Sequence, residues 1–499
     1  MLSQYEEYKT LSENVIVKNT DSMLKSIFKF SISTWINFFI SLFTAIITTR
    51  VFTPDIYGII NVFNTTSATI MSIICLGLDS SYIRFFNEPP AGNNSKQLTF
   101  KLISVSVSIT AFVGVIISAF LYQPFTQAIF SRTSWLLSVM VFINVLSLLL
   151  LRFLNITYRM SFNVRQFTIQ SILVQIFSKL FVVAAALFNP TAEVVISFNV
   201  LGVFILTVVY IFLQRKDIIP RKIDFDFTGY KPIFKYAFFT APIYIAINLN
   251  GFFSQQIIAQ TISLGAVGIY STAYYFSTII SVLQAGFTTY WSAFMFSNYE
   301  KDRKKITGVH DYIMLFLIVA FIGMIIFKDL IYLLIGPQYQ ESKNFFALVS
   351  LYPILGIAAE TTTYGMAIVK KNHITLINYT IAILVNLLSS IILTKQFGLT
   401  GTAAASCFSA IVLFALNTFW GQKYYKSISS IKRTVLCVVM IVVAAFSATL
   451  VKNTIIYASI IITIIIVSIT IYLPQIKVIL GLILIIAKTK FNKNKEKKM

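Results

Sequence analysis

Long apolar runs separated by short polar connections fill almost the whole chain. An α-helix rises about 1.5 Å per residue, so about 20 apolar residues cross a hydrocarbon core of about 30 Å. Runs of this length predict fourteen membrane-spanning helices, and hence an all-α integral membrane protein. The predicted spans are 25–49, 55–80, 100–122, 134–157, 165–188, 192–214, 232–260, 265–295, 309–330, 343–369, 374–396, 399–421, 431–451 and 454–473.

The first and seventh spans begin alike, with Phe-Lys-Phe at 28–30 and Phe-Lys-Tyr at 234–236. Each is followed by a short turn that ends in glycine, at Gly58 and at Gly265 and Gly268. Both spans are odd-numbered and so run in the same direction, which predicts a parallel repeat. The predicted parts are a cytoplasmic tail at 1–24, two six-helix lobes around a central cavity at 25–214 and 232–421, a cytoplasmic linker at 215–231, and two extra helices with a basic cytoplasmic tail at 422–499.

Composition agrees with a membrane protein and explains the charge. Hydrophobic residues make up 57% of the 499 positions and charged residues 12%, with a mean hydropathy of +0.80, far from the balance of soluble domains. Most of the 40 lysines and arginines lie on the side of the two termini. The predicted opposite side has only Arg50, Arg132, Lys328, Lys343, Lys395 and Lys452. By the positive-inside rule both termini are predicted to be cytoplasmic, and the net charge of +22 is assigned to topology instead of a nucleic-acid partner.

The sequence lacks the patterns of several common functional sites. Cys75, Cys407 and Cys437 lie far apart in apolar runs, which predicts neither a disulfide framework nor a metal site. The sequence has no glycine-rich phosphate loop of the Walker type, which argues against direct use of ATP, and no cofactor is predicted.

Four spans, all on helices that the predicted repeat relates, carry polar residues every three or four positions. Such rows face protein or water, because a helix that faces only lipid needs no polar side. Packing through small and polar groups explains any single row, whereas four related rows favour a wet cavity. The rows include Asn37, Ser41, Thr44 and Thr48 in span one, Asn61 and Asn64 in span two, Asn248 and Gln255 in span seven, and Tyr274 and Gln284 in span eight.

Span five adds a charge to such a row. Ser171, Gln175 and Lys179 follow one another at spacings of four, which places the lysine on the polar face near the middle of the membrane. An ionised lysine at that depth costs at least about 2.5–3.5 kcal/mol, so it is expected to face a partner or water. A salt bridge or a snorkelling side chain is the structural alternative. The functional interpretation is attraction of an anionic ligand.

Glu360 is the other isolated charge within a predicted span. A carboxylate at that depth can take up and release a proton or a sodium ion, which predicts coupling to an ion gradient. An ion pair or a hydrogen-bonded helix contact is the alternative.

Four short features stand out along the chain: Arg-Val-Phe-Thr-Pro-Asp-Ile-Tyr-Gly at 50–58, Leu-Gly-Leu-Asp at 76–79, Arg84, and Phe-Gly-Leu-Thr-Gly at 397–401. In these features the sequence resembles the bacterial polysaccharide repeat-unit flippases. In the first stretch, Pro54 predicts a turn, Asp55 a helix cap and Gly58 a close approach as span two begins. These flippases belong to a superfamily with multidrug and toxin extruders and the peptidoglycan lipid-precursor flippase. The peptidoglycan branch has basic residues in its first helix, whereas span one here is uncharged between Lys29 and Arg50, which argues against that cargo.

The resemblance implies alternating access by two lobes and a cavity whose cations hold a diphosphate. The implied cargo is an undecaprenyl-diphosphate-linked oligosaccharide, moved to the outer leaflet of the bacterial cytoplasmic membrane for O-antigen or capsule. The implied partners are this glycolipid, the lipid bilayer, a polysaccharide polymerase and a chain-length regulator. The predicted substrate-binding residues are Lys179, Asn37, Asn61, Asn248, Gln284 and Arg50, and the predicted ion-coupling residue is Glu360.

Two other functions stay open at this point. A multidrug exporter of the same superfamily would favour acidic cavity residues for cationic drugs, and the first lobe has none at mid-depth. A membrane-embedded polysaccharide polymerase or ligase would need catalytic groups on a sizeable outer loop, and the predicted outer loops are short. His310 and His373 lie near cytoplasmic helix ends, with no catalytic partner evident in the sequence.

Overall fold

The computed structural model describes residues 35–161, 163–188, 191–221, 225–300 and 303–481, and these ranges contain α-helices, short 3-10 segments and no strand. The all-α prediction is therefore confirmed. The helices are α1 Trp35–Val51, α2 Pro54–Cys75, α3 Leu78–Phe85, α4 Ser95–Phe120, α5 Tyr122–Phe130, α6 Trp135–Met160, α7 Val164–Ala184, α8 Ala192–Ile218, α9 Lys231–Thr261, α10 Leu264–Ser277, α11 Ile279–Asn298, α12 Arg303–Ile326, α13 Lys328–Tyr332, α14 Phe346–Glu360, α15 Tyr364–Ile368, α16 Asn372–Tyr424, α17 Ile431–Leu450 and α18 Thr454–Ile471.

The predicted count of fourteen spans is not confirmed. Within the described ranges, ten helices are long and apolar enough to cross a membrane. The count becomes eleven if Pro337–Asn344 and Phe346–Glu360, which meet at 64°, form one broken span. The predicted span 265–295 is divided at Thr278 between α10 and α11. The predicted spans 374–396 and 399–421 join in α16, which is interrupted only by Gly398 at φ 59° and ψ −140°.

The predicted span 25–49 is described only from Trp35 onward, as the short helix α1. The predicted tail at 1–24, the start of that span and the residues after 481 lie outside the described residues.

Polar side chains in the connecting segments cap many helices at their first turn. Asn94 caps α4 with a reciprocal pair of bonds, since its side chain accepts from the backbone N–H of Gln97 and the Gln97 side chain accepts from the backbone N–H of Asn94. Such caps satisfy N–H groups that the first helical turn leaves unpaired. The other side-chain caps are Ser134, Asn163, Thr191, Ser263, Ser430 and Asn453.

The helices are grouped into two compact units. Among the described residues, the first unit runs to Tyr290 and includes Leu334–Ser342 and Ile383–Ala405, and the second contains Trp291–Leu333, Lys343–Ala382 and the chain from Ser406 onward. The predicted lobes at 25–214 and 232–421 stay a prediction.

In the first unit, α2 packs against α6, α8, α9 and α10. Glycines at both ends of α2 allow helices to approach closely. A Cβ atom on Gly77 would lie 2.4 Å from the backbone oxygen of Ala237 in α9, and a Cβ atom on Gly58 would lie 1.8 Å from that of Leu264. The close approach predicted at Gly58 is confirmed. Asp55 does not cap α2, because the N-cap residue is Thr53 and Asp55 lies in the first helical turn.

The turn before α2 is held by the segment Leu334–Ser342, which belongs to the same unit. Arg50 Nε donates a hydrogen bond of 3.1 Å to the backbone oxygen of Leu334. Tyr339 Oη donates one of 2.9 Å to the backbone oxygen of Phe52. The exposed side chain of Arg50 therefore has a structural contact at the end of α1.

In the second unit, α12 packs against α14 and α17 around buried polar groups. His310 lies between the hydroxyls of Thr361 and Thr434, at 2.7 and 2.8 Å from its two ring nitrogens. The neighbouring Asp311 is buried and accepts a hydrogen bond from Arg433 at 3.1 Å. These groups are bonded to one another and join α12 to α17.

Candidate functional site

A cavity of about 280 Å³ lies within the first unit. Five helices of the first half of the chain, α1, α2, α6, α7 and α8, form most of its wall, and α10 contributes Tyr275. The lining residues are Ser41, Thr44, Ala45, Thr48, Tyr57, Ile60, Asn61, Asn64, Asn144, Leu148, Val174, Gln175, Ser178, Lys179, Val182, Asn199, Val203 and Tyr275.

Lys179 supplies the only charge of this lining set. Within the described ranges, its ammonium makes no ion pair and no hydrogen bond to another side chain or to the backbone. An ammonium at this depth needs an anionic partner or water, because the protein interior solvates charge poorly. The salt bridge considered from the sequence is thus not formed among the described residues, and the cavity is left with a net positive charge.

The polar rows of α1 and α7 meet, and this contact positions Lys179. Asn37 Nδ2 donates to Ser171 Oγ at 3.0 Å, and one turn further along both helices Gln175 Nε2 donates to Ser41 Oγ. The next turn of α7 brings Lys179 to the cavity. Because each step is four residues on both helices, the row predicted from the sequence determines which face of α7 carries the ammonium.

Four amide side chains of the lining are already bonded within the protein. Asn199 Nδ2 donates to Asn64 Oδ1 at 3.1 Å, joining α8 to α2. Asn61 Nδ2 donates to the backbone oxygen of Tyr57 at 2.7 Å, and Gln175 is bonded to α1. These bonds hold the amide groups in fixed positions around the cavity, where their remaining atoms are available to a ligand.

Asn144 on α6 differs from the other amides. Its side chain is 2% exposed, and its Oδ1 atom is buried with no hydrogen-bond partner in the described structure. The sequence reasoning missed both Asn144 and Asn199. The signal available was an asparagine with apolar residues directly before and after it in a predicted span, which in a membrane helix indicates a polar contact or a ligand.

A comparable polar contact lies between α9 and α16, without a charge. Asn386 Nδ2 donates to Asn250 Oδ1 at 2.8 Å and to Ser254 Oγ at 3.0 Å. These three polar side chains join the two helices within the first unit without an ionised group.

The structure brings only part of the predicted substrate set together. Lys179 and Asn61 line the cavity. The other four residues are not among its lining residues: Asn37 bonds to Ser171, Asn248 donates to the backbone oxygen of Tyr244 at 3.0 Å, Gln284 is half-buried on α11, and Arg50 contacts Leu334. A binding role for these four stays a prediction.

Glu360 lies in the second unit, as the last residue of α14. Its side chain is half-buried, and its backbone oxygen accepts a hydrogen bond of 3.1 Å from Trp291 Nε1. The ion-coupling role predicted for Glu360 stays a prediction.

Asp79 and Arg84, two charged residues of the motifs that carry the resemblance, pair with other residues and not with each other. Asp79 is buried and pairs with Arg152 of α6, whose Nε lies 2.6 Å from Asp79 Oδ2. Arg84 instead pairs with the exposed Glu88, four residues later, at 2.9 Å. The reason is helical geometry, because a spacing of five residues places Asp79 and Arg84 on different faces.

Several solved structures share the fold of the chain, and two of them illustrate the likeness. The lipid II flippase MurJ, in an inward closed conformation, superimposes with a TM-score of 0.68 at 16% identity, covering 90% of this chain and 99% of that chain. An inward-facing multidrug resistance MATE family transporter of the MOP superfamily gives a TM-score of 0.56 at 11% identity, covering 78% and 93%. At these identities the likeness shows the fold alone.

No curated protein is significantly similar to the chain in sequence. Residues 23–292, however, match a protein family described as polysaccharide biosynthesis protein. This segment is more than half of the chain, and it contains all the residues that line the Lys179 cavity. This match shows that the chain belongs to the polysaccharide biosynthesis protein family.

Proposed function

We propose that the protein is a flippase that moves a lipid-linked oligosaccharide from the cytoplasmic to the outer leaflet by alternating access. The observation that carries the proposal is the unpaired ammonium of Lys179 in a cavity lined by amides and hydroxyls. Membership of the polysaccharide biosynthesis family and the fold shared with a lipid II flippase support it.

The chemistry of the cavity favours an anionic headgroup. A diphosphate presents several charged acceptor oxygens, and an ammonium with three N–H donors binds them as a point charge. The lining contains no carboxylate to repel such a group or to attract a cationic drug. A lipid-linked diphosphate can place its headgroup in a polar cavity while its polyprenyl chain stays in the bilayer.

In this proposal the cargo is an undecaprenyl-diphosphate-linked repeat unit, and the polymer is a surface polysaccharide such as O-antigen or capsule. The protein lies in the bacterial cytoplasmic membrane with both termini in the cytoplasm, as the distribution of lysine and arginine favours. A polysaccharide polymerase and a chain-length regulator act on the product at the outer leaflet.

The test is transport by the purified full-length protein in vesicles that contain a fluorescent polyprenyl-diphosphate oligosaccharide in the inner leaflet. Lys179→Ala is expected to abolish its appearance in the outer leaflet, and Lys179→Arg to retain part of it because the charge remains. Lys395→Ala serves as the control, since Lys395 is exposed and does not line the cavity. Transport by Lys179→Ala at the wild-type rate would remove Lys179 from the mechanism, and export of cationic dyes instead would favour a multidrug exporter.

We also propose that Glu360 couples transport to a proton or sodium gradient, because a half-buried carboxylate at the end of α14 can bind and release a cation. In the same vesicles with an imposed gradient, Glu360→Gln should transport at the rate that the wild-type protein shows without a gradient. If the variant still responds fully to the gradient, Glu360 is a structural residue.

A further inference from the structure

The buried carbonyl oxygen of Asn144 lacks a hydrogen-bond donor. Its Oδ1 atom is enclosed and has no partner among the described residues, although the side chain lies on the same cavity as Lys179. A buried acceptor without a donor destabilises a protein, because it has lost its hydrogen bonds to water and has gained none in return. Whatever fills the cavity is therefore expected to supply the missing donor.

The neighbouring side chains do not supply it. The amide nitrogen of Asn199 is bonded to Asn64, that of Asn61 to Tyr57, and that of Gln175 to Ser41. The ammonium of Lys179 makes no bond to Asn144. The cavity wall thus has two unsatisfied groups. Asn144 lacks a hydrogen-bond donor, and Lys179 lacks an anion.

A phosphate group meets only one of these needs. Ionised phosphate oxygens accept hydrogen bonds from the ammonium, but they cannot donate to a carbonyl oxygen. A sugar attached to the phosphate meets the other, through a hydroxyl or an acetamido N–H. The paired groups therefore fit a glycosyl phosphate better than they fit a bare phosphate.

The size of the cavity limits how many sugar residues of the cargo can bind inside it. Its volume of about 280 Å³ lies just below the ~300–1,000 Å³ that is typical of pockets for drug-sized ligands. This is room for a diphosphate with about one sugar and too little for a complete repeat unit. The recognised part is accordingly the sugar next to the diphosphate.

We infer that Asn144 is a specificity-determining residue, which accepts a hydrogen bond from the first sugar of the cargo while Lys179 holds its diphosphate. This inference rests on the proposed flippase function. It predicts that Asn144 distinguishes a glycosylated from a bare polyprenyl diphosphate, whereas Lys179 is needed for both.

The experiment measures the affinity of the full-length protein in lipid nanodiscs for short-chain polyprenyl diphosphates. The three probes carry no sugar, one hexose or one N-acetylhexosamine. The wild-type protein should bind at least one glycosylated probe more tightly than the bare one. Asn144→Leu should weaken that binding by about tenfold, the effect expected when one hydrogen bond to the ligand is lost, and should leave the bare probe unchanged.

Three variants make the result specific. Lys179→Met should lose both classes of probe. Asn144→Ala lacks the acceptor without adding apolar bulk, so it separates the loss of the carbonyl from a steric effect. Ser147→Ala, at a buried position one turn along α6 that does not line the cavity, should bind like the wild-type protein. Thermal unfolding of each variant confirms that it is folded.

The outcomes separate this inference from the proposed function. If the wild-type protein binds bare and glycosylated probes equally, or if Asn144→Leu weakens both or neither, the role of Asn144 is overturned and water satisfies its oxygen. If the wild-type protein binds no probe, or if Lys179→Met binds all of them normally, the flippase proposal itself is overturned.

Discussion

Gly58 lies so close to Leu264 that a Cβ atom on it would be 1.8 Å from the Leu264 backbone oxygen. The contact is reciprocal, because a Cβ atom on Gly268 would lie 2.2 Å from the backbone oxygen of Pro54. Pro54 begins α2 and Leu264 begins α10, and each glycine comes four residues later. Such reciprocity is expected for two copies of one element related by a two-fold axis, as in a parallel repeat.

Replacing Gly58 with alanine should therefore destabilise the contact between α2 and α10. The added methyl group meets a backbone atom, which cannot move aside as a flexible side chain can, and overpacking of this kind costs about 1–3 kcal/mol. The expected result is a lower apparent melting temperature in nanodiscs. Gly251→Ala on α9 is the matched control, since its Cβ would meet nothing within 4 Å and alanine favours a helix. Equal melting of the two variants would argue against a tight contact at Gly58.

Removing the charge of Lys179 should stabilise the ligand-free protein while it abolishes transport. An unpaired ammonium in the membrane interior is unfavourable, so Lys179→Met is expected to increase stability by up to about 3 kcal/mol. The measurement is the apparent melting temperature without added glycolipid, with the exposed Lys395→Met as the control. A lower melting temperature for Lys179→Met would mean that the ammonium has a stabilising partner.

In the ion pair of Asp79 and Arg152, replacing Arg152 should destabilise the protein more than replacing Asp79. The Asp79 side chain is 7% exposed and that of Arg152 is 44% exposed. Arg152→Ala leaves a buried carboxylate without its partner, which costs about 3–5 kcal/mol. Asp79→Ala leaves a guanidinium that can reach water, and its cost should be clearly smaller.

The double variant Asp79→Ala, Arg152→Ala should then be more stable than Arg152→Ala alone, because it no longer buries an unpaired charge. The exposed pair of Arg84 and Glu88 provides the comparison, and Arg84→Ala should change stability by less than about 1 kcal/mol. Equal effects of Asp79→Ala and Arg152→Ala would show that the carboxylate is not the more desolvated partner.

Most of the helices could be predicted from the local pattern of apolar and polar residues along the chain. Apolar runs predicted the all-α membrane fold, and most of their bounds lie near those of the observed helices. The count of spans is not confirmed, and the observed helices differ from the predicted spans where continuity depends on backbone geometry, at Thr278, at Gly398 and before Phe346. Hydropathy is averaged over many residues, so it does not detect a break of one residue within an apolar stretch.

The candidate site was predicted only in part, for a related reason. Lys179 was identified because one charge in an apolar helix is conspicuous, and Asn61 because it belongs to a polar row. Neither Asn144 on α6 nor Asn199 on α8 has a polar residue four positions before or after it, so no row at that helical spacing marks them. They become part of one wall only because α6 and α8 pack against each other and against α2.

The sequence by itself determined the helices, their polar faces and the position of the ammonium on α7, because these depend on the spacing of neighbouring residues along one helix. Only the tertiary structure decided which polar groups meet and which remain unpaired. Asn37 reaches Ser171 across 134 residues, whereas Asn144 reaches no donor among the described residues. Such contacts depend on how helices distant in sequence pack, and packing is a property of all of them together.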